Sequence, residues 1–116
     1  MKSALMDDKR YLAVRIVGAA GQSAWDEGRL KGELTRSLSV VLGVMGMAEV
    51  EPNLISFDAK SGEFVLRAKR GHERKLVAAL ALVNSLGGAP VRLECLRISG
   101  TIKRLRMKRG EDEKTG

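Results

Sequence analysis

Two hydrophobic periodicities alternate along this chain, and their order restricts the fold more than any other feature of the sequence. In residues 10–17 apolar and polar side chains alternate, which predicts a strand with one buried face. In residues 23–46 apolar side chains recur at helical spacing, which predicts an amphipathic helix. Residues 48–70 then read as two strands joined by a turn, residues 72–88 as a second helix, and residues 91–98 as a fourth strand.

The resulting order of strand, helix, strand, strand, helix, strand is typical of the ferredoxin-like fold. In this α/β architecture, an α+β sandwich, a four-stranded antiparallel sheet carries two main helices on one face. Here a basic C-terminal helical segment follows the last strand. A chain of 116 residues is long enough for one such domain with its own core. We therefore expect a single domain over residues 9–109, with flexible termini at 1–8 and 110–116.

Glycine and capping residues predict where the helices begin and end. Ser23 and Asp26, three residues apart, resemble the capping box at a helix N-terminus. Gly43 and Gly46 supply stop signals for the first helix, and Gly87-Gly88 would close the second.

The face of the sheet that the helices leave uncovered decides whether the chain resembles modules that stack RNA bases on aromatic side chains. If Phe64, Leu66 and Ala68 face the helices, the alternate residues of that strand must face outward. The open face would then comprise Tyr11, Arg15, Val65, Arg67 and Lys69. Because aromatic residues make up only 3% of the chain, stacking of single-stranded bases is disfavoured.

The charge of the chain predicts a polyanionic partner, such as nucleic acid or an anionic membrane. Lys and Arg number 21 against 14 Asp and Glu, a formal net charge of +7. Basic residues are concentrated in two stretches, one at the end of the third predicted strand and one from Arg97 onward. If they do not contact RNA, the first is an ordinary solvated helix start and the second is a charged tail that contacts nothing. Our candidates for RNA phosphate contact are Arg67, Lys69 and Arg70 in the first stretch, and Arg97, Lys103, Arg104, Arg106, Lys108 and Arg109 in the second.

Apolar side chains predict contacts outside the main core in two places. Ile102 and Leu105 recur at near-helical spacing, so we expect a short helix that docks its apolar side on the domain while its cations project. The second helix has an apolar arc wider than one sheet requires, which either a partner protein, a second copy or the tail would cover. The arc is widened by Val77, Ala78, Ala79, Ala81 and Leu82.

The sequence offers no convergent set of catalytic side chains. Cys95 and His72 are the only cysteine and histidine, and no spacing brings two carboxylates together, so triads and metal sites are poorly supported. Cys95 lies within an apolar alternation that predicts a buried structural thiol. No apolar run approaches the ~20 residues that span a bilayer, and residues 1–10 lack the apolar centre of a signal peptide, so we expect a cytoplasmic protein.

Five segments of the chain, taken in order, resemble a known family. They are KRYLAVRIV, EPNLISFD, GEFVLRAKR, LVAALALVNSLGG and LRISGTIKRLRMKR. The ordered set is similar to the protein component 2 family of archaeal and eukaryotic ribonuclease P. The turn Ser99-Gly100-Thr101-Ile102, which leads into basic residues, is the most specific part of this likeness.

The resemblance implies a ferredoxin-like fold and a protein subunit of the ribonucleoprotein that removes the 5′ leader from precursor tRNA. It implies that the RNA subunit holds the active site with its Mg²⁺ ions, while this chain binds no cofactor. The implied partners are ribonuclease P RNA, ribonuclease P protein component 3, the other ribonuclease P protein subunits and precursor tRNA. A homodimer within a heterotetramer is left open. Lys103, Arg104 and Arg106 match the family's motif, and Arg67 and Arg70 match more loosely.

Two other functions remain compatible with the residues. A small-molecule-sensing regulatory domain of ferredoxin-like fold also contains glycine-rich loops between strand and helix, but it would not explain the basic tail. A standalone nuclease would need catalytic side chains that the sequence does not bring together.

Overall fold

The computed structural model describes residues 8–18 and 25–106. Residues 102–106 form a short helix, which we call the C-terminal helical segment. The termini predicted to be flexible, 1–8 and 110–116, lie outside the described residues except for Asp8. The other elements are, in chain order, β1 (Lys9–Val17), α1 (Glu27–Val50), β2 (Asn53–Asp58), β3 (Glu63–Lys69), α2 (Glu73–Leu82), β4 (Ser85–Leu86), β5 (Ala89–Pro90) and β6 (Arg92–Ser99).

Four of the strands form one antiparallel sheet in the order β2-β3-β1-β6. With the helices α1 and α2 between them in sequence, these strands make up the ferredoxin-like arrangement that the sequence predicts, so the fold class is confirmed. β1 lies in the interior of the sheet and runs antiparallel to both of its neighbours, β3 and β6.

The main core lies between the sheet and the two helices. Phe64, Leu66 and Ala68 of β3 are at most 1% exposed and belong to this core, as their alternation predicts. Burial of each large side chain contributes roughly 1.5 to 3 kcal/mol to folding. The same cluster includes Leu12, Val14 and Ile16 of β1, Leu30, Leu34 and Leu38 of α1, and Leu76 and Leu80 of α2.

A second, smaller cluster lies on the opposite face of the sheet. Leu105 of the C-terminal helical segment is 1% exposed and packs with Ala13 and Val65. This confirms that Leu105 anchors the segment to the domain, while Ile102 is half-buried. The face that the sequence predicts to be open is therefore partly covered. The segment docks here and not on α2, where Leu82 stays exposed.

A β-bulge in β6 turns Arg97 toward this second face. Cys95 pairs with Val14 and Arg97 pairs with Ala13, which makes Leu96 an extra residue in β6. A regular alternation would place Arg97 on the same face as Cys95, toward the helices. The bulge brings Arg97 to the other face instead, where Leu96 also packs in the second cluster.

α1 begins close to its predicted position and ends later than predicted. The N-cap is Asp26, whose Oδ1 accepts a hydrogen bond from the Arg29 backbone N–H at 2.8 Å. Ser23, the other half of the predicted capping box, lies outside the described residues. The predicted stop at Gly43 is confirmed only as an interruption, since α1 resumes after it, and the predicted stop at Gly46 is wrong, because α1 runs on to Val50. Gly43 kinks the helix at φ 73° and ψ 177°, a conformation that is essentially restricted to glycine.

α2 ends earlier than the sequence predicts. Its last residue is Leu82, so Gly87-Gly88 does not close the helix. These glycines, at φ 58° and 83°, form the turn of a short hairpin between β4 and β5, which the sequence prediction does not include. A two-residue hairpin turn of type I′ needs positive φ at both positions, which glycine adopts without a steric cost.

An exposed ion pair links the two helices. Lys75 of α2 donates a hydrogen bond to Glu49 of α1, and this bond together with the opposite charge holds the pKa of the Glu49 carboxyl below its usual 4.5. The stability from this shift is present above pH 4.5 and is lost as the pH falls through the lowered pKa. Because both side chains are nearly half exposed, solvent screens the pair and its contribution is small.

Candidate nucleic-acid interface

The ends of three strands bring the two predicted basic stretches together. β1 begins where β3 and β6 end, because it is antiparallel to both. At this end of the sheet the Arg70 backbone N–H donates to the Asp8 carbonyl at 2.7 Å. Tyr11 pairs with Ser99, so the turn that follows β6 lies beside the start of β1. Cations from separate parts of the chain therefore share one end of the sheet.

A cleft of about 540 Å³ opens at this end. We call it the cationic cleft, and it is lined by Arg10, Arg70, Ile98, Ser99, Gly100, Thr101 and Arg104. Three of these residues are arginines and none is acidic. Such a concave surface favours an anionic ligand, phosphate above all, since the planar donors of arginine match the geometry of phosphate oxygens.

Arg10 lines the cleft although the sequence does not predict it as a site residue. Its Nε lies 3.9 Å from Glu73 Oε2, and 28% of its side-chain surface is exposed. A Cβ on Gly100 would lie 2.8 Å from Arg10 Nη1, so the guanidinium lies directly against that glycine. In the sequence Arg10 is an ordinary cation at the start of a strand, and only the pairing of β1 with β6 places it in the cleft.

Arg70 and Arg104 supply the other two positive charges of the cleft. Both are exposed, and within residues 8–18 and 25–106 no carboxylate lies within ion-pairing distance of either guanidinium. The turn before Arg104 orients it: the Arg104 backbone N–H donates to Thr101 Oγ1 at 3.1 Å. The Thr101 N–H in turn donates to Ser99 Oγ at 3.3 Å. The turn that carries the family resemblance thus holds the segment on which Arg104 lies.

Arg97 has a structural role that the sequence did not predict. Its Nη2 donates to Glu63 Oε1 at 2.8 Å, and its Nε donates to the Leu105 carbonyl at 3.2 Å. Both side chains of this ion pair are only 9% exposed. Arg97 therefore ties the C-terminal helical segment to β3 and has little surface to offer to an RNA phosphate. We remove it from the candidates for phosphate contact.

Two predicted cations of β3 lie near the cationic cleft without lining it. Arg67 is half-buried and follows the alternation of Val65, on the second face of the sheet. Lys69 is exposed at the end of β3, paired in register with Lys9. Both add positive potential to this end of the sheet.

The cations of the C-terminal helical segment are divided between its sides. Arg104 lines the cationic cleft, whereas Arg106 borders a separate depression of about 190 Å³. Lys103 is exposed and lines neither of these two hollows. The predicted trio is therefore not one patch. Lys108 and Arg109 lie outside the described residues.

Other reactive side chains do not converge in the described part of the chain. Within residues 8–18 and 25–106, no group of three or more His, Cys, Asp or Glu side chains could hold a metal ion. Cys95 is partly buried, and burial raises the pKa of its thiol, which keeps it in the unreactive protonated form. None of the described helices is long and apolar enough to cross a membrane.

A comparison with known proteins connects this surface to a family. The model of the Rpp14/Pop5 family matches residues 10–109. The chain belongs to this family. The matched range takes in the whole cationic cleft, from Arg10 to Arg104.

Relatives of this Rpp14/Pop5 family chain bear the name ribonuclease P protein component 2. Those from Pyrococcus horikoshii, Thermococcus gammatolerans and Pyrococcus furiosus are 38%, 34% and 31% identical to it over 104 residues. Each match covers 90% of this chain and 84% of the relative. The resemblance to the component 2 family is thereby confirmed.

A solved structure supports the fold. A chain of yeast ribonuclease MRP, determined by cryo-EM, superposes with a TM-score of 0.65 at 17% sequence identity. The match covers 94% of this chain and 92% of the yeast chain. At this level of identity the likeness shows a shared fold.

Proposed function

We propose that this chain is a protein subunit of ribonuclease P, the ribonucleoprotein that makes mature tRNA 5′ ends by endonucleolytic cleavage of precursor tRNA. The proposal is carried by the match to relatives named ribonuclease P protein component 2 over 90% of the chain. The convergence of Arg10, Arg70 and Arg104 on one cleft supports RNA binding independently of the relatives.

In this proposal the subunit acts by electrostatic positioning. Cations at the end of the sheet offset the repulsion between phosphates that a folded RNA brings close together. The sheet and the docked C-terminal helical segment fix the backbone positions of these cations in advance, so less backbone freedom is lost when RNA binds. We assign the chemical step to the RNA subunit with its Mg²⁺ ions, and no catalytic role or cofactor to this chain.

A second surface suits a protein partner. Val40, Val44 and Met45 of α1 and Leu82 of α2, which we call the apolar surface, are 67% to 87% exposed. Val40 and Leu82 line one groove of about 250 Å³ between the helices. Exposed apolar groups of this kind are typical of protein interfaces. The relatives are named protein component 2, which indicates that their enzyme has more than one protein component. We propose that ribonuclease P protein component 3 occupies this surface.

Replacement of Val44 by aspartate is expected to weaken the binding of component 3 by about tenfold or more, because the new carboxylate would lose its water against an apolar partner. Val44 is 87% exposed, so the variant should fold normally. Thr35→Asp places the same charge at another exposed position of α1 and should bind like the parent. Isothermal titration calorimetry measures the three affinities.

Equal affinities of the two aspartate variants for component 3 would contradict the proposed docking surface. Analytical ultracentrifugation of the chain alone separates a further outcome. Self-association that Val44→Asp abolishes and that component 3 does not displace would identify a second copy of the chain as the occupant instead.

The proposed function itself is tested by reconstitution. Cleavage of precursor tRNA by ribonuclease P RNA is measured with no protein, with this chain and component 3 together, and with component 3 alone. At moderate Mg²⁺ the complete mixture should cleave at least about tenfold faster, because the protein cations replace part of the Mg²⁺ needed to fold the RNA. A cleavage rate that does not depend on this chain would refute the function.

Neither alternative function is favoured by a particular observation. Family membership over residues 10–109 does not support a ligand-sensing regulatory domain. The cytoplasmic location that the sequence predicts stays a prediction, as do the single domain over residues 9–109 and the homodimer within a heterotetramer.

A further inference from the structure

The three arginines of the cationic cleft come from three different elements and meet over one turn. Arg10 lies near the start of β1, Arg70 follows β3, and Arg104 lies in the C-terminal helical segment. The turn Ser99-Gly100-Thr101 also lines the cleft, and none of the described residues that line it is acidic. Three like charges directed at one hollow repel each other, and an anion between them would relieve that repulsion.

The turn that lines the cleft can also donate hydrogen bonds. The Thr101 hydroxyl accepts a hydrogen bond from the Arg104 backbone N–H, so its own hydrogen remains available for an acceptor. Thr101 is exposed at the cleft, where a phosphate oxygen could accept that hydrogen. The cleft of about 540 Å³ falls within the range of ~300 to 1,000 Å³ of typical ligand sites, so it can admit a phosphate with its flanking sugars.

Glu73 holds Arg10 only loosely. One oxygen of Glu73 accepts a hydrogen bond from the Gly71 N–H at 2.7 Å, and the other lies 3.9 Å from Arg10 Nε. That second distance is too long for a hydrogen bond, so the donors of Arg10 are not saturated by Glu73. A phosphate in the cleft could therefore bind Arg10 without first breaking a strong ion pair.

We propose that Arg10, Arg70 and Arg104 together bind a single backbone phosphate of the RNA partner, and that Gly100 is required because it leaves room for the Arg10 guanidinium. This inference rests on the proposed function for the identity of the RNA. It goes beyond it in assigning one phosphate to three arginines, of which Arg10 has no part in the basic stretches of the sequence.

Gly100→Ala tests the proposal without a change of charge. The new methyl group would lie 2.8 Å from Arg10 Nη1, which is the far end of a flexible side chain, so the arginine should move while the fold persists. Affinity for ribonuclease P RNA should fall about three- to tenfold with an unchanged melting temperature. Gly32→Ala is the control, because a Cβ there meets nothing within 4 Å and the glycine is exposed on α1.

The number of phosphates is read from the dependence of affinity on salt. Each neutralised phosphate contributes a little under one unit to the slope of log affinity against log salt. If the three arginines share one phosphate, the triple variant Arg10→Gln, Arg70→Gln, Arg104→Gln should lose only about one unit of slope. Three separate phosphates would remove about three units, and that result would overturn the proposal.

A further control separates this site from general attraction to RNA. Arg36→Gln removes one charge from an exposed position on α1 and should leave the affinity for RNA nearly unchanged, whereas Arg10→Gln should lower it. Equal effects of Arg36→Gln and Arg10→Gln, or an unaltered affinity of Gly100→Ala, would overturn the cleft assignment while the parent chain still binds RNA and stimulates cleavage. Failure of the parent in both assays would instead refute the proposed function.

Discussion

Replacement of Glu63 by alanine is expected to lower the free energy of unfolding by about 3 to 5 kcal/mol, the largest effect on stability that we predict. Glu63 and Arg97 form an ion pair in which each side chain is only 9% exposed. The variant leaves a buried guanidinium without the carboxylate that it faces, and a buried charge without its partner is costly. For a domain of this size the melting temperature should fall by roughly 10 °C or more.

The same variant should loosen the C-terminal helical segment. Arg97 Nε donates to the Leu105 carbonyl, so the guanidinium that Glu63 holds in place also holds the segment. We expect faster hydrogen exchange at the Leu105 amide, which donates to the carbonyl of Thr101, the residue just before the segment. Thermal unfolding and hydrogen exchange measure the two effects.

Two variants serve as controls for Glu63→Ala. Glu94→Ala removes a carboxylate from an ion pair with Arg92, whose side chains are 43% and 68% exposed, so stability should change by less than about 1 kcal/mol. The double variant Glu63→Leu, Arg97→Met should recover most of the loss, because apolar side chains of similar volume replace the buried charges. A Glu63→Ala variant as stable as Glu94→Ala would contradict the structural role of the pair.

Joint replacement of Lys103, Arg104 and Arg106 by alanine is expected to weaken binding to ribonuclease P RNA on the order of 100-fold at moderate salt. All three side chains are exposed, so the variant should fold. Lys103 and Arg106 do not line the cationic cleft and would each reach a phosphate of their own, whereas the phosphate of Arg104 would still be held by Arg10 and Arg70. The slope of log affinity against log salt should therefore fall by about two units or more. Filter binding at several KCl concentrations measures both quantities.

The control for this triple variant removes the same charge elsewhere. Lys31, Arg36 and Lys60 are exposed on α1 and on the turn between β2 and β3, away from the cationic cleft. Their joint replacement by alanine lowers the net charge equally and should reduce affinity only slightly, through the weaker long-range field. A loss as large as that of the first triple variant would mean that net charge, and no particular surface, attracts the RNA.

Much of the fold follows from local patterns in the sequence. The inward face of β3, with Phe64 and Leu66, follows from strand alternation, and the docking of Leu105 follows from helical spacing. The hairpin at Gly87-Gly88 could have been recognised, since paired glycines favour such turns as well as helix ends. The sequence marks Gly43 as a stop signal but does not show that the helix resumes after it, because a glycine can either end a helix or kink it.

The candidate site was only partly predictable for a different reason. Charge density predicts Arg70 and Arg104, but it is misleading for two other arginines. Arg97, which is predicted to bind RNA, has a nearly buried side chain, and Arg10, which is not predicted, lines the cleft. The bulge at Leu96 determines the position of Arg97, because it turns this side chain toward Glu63. The register of β1 against β6 determines the position of Arg10 in the cleft.

The sequence alone determined the order of elements, the excess of positive charge and the anchoring of the basic segment, since each depends on residues close together in the chain. Only the tertiary structure decided which cations share a surface. Strand register and bulges arise from hydrogen bonds between distant segments, and one extra residue in β6 reverses the direction of every side chain after it. Hydrophobic periodicity within one segment therefore does not predict the register or the position of a bulge.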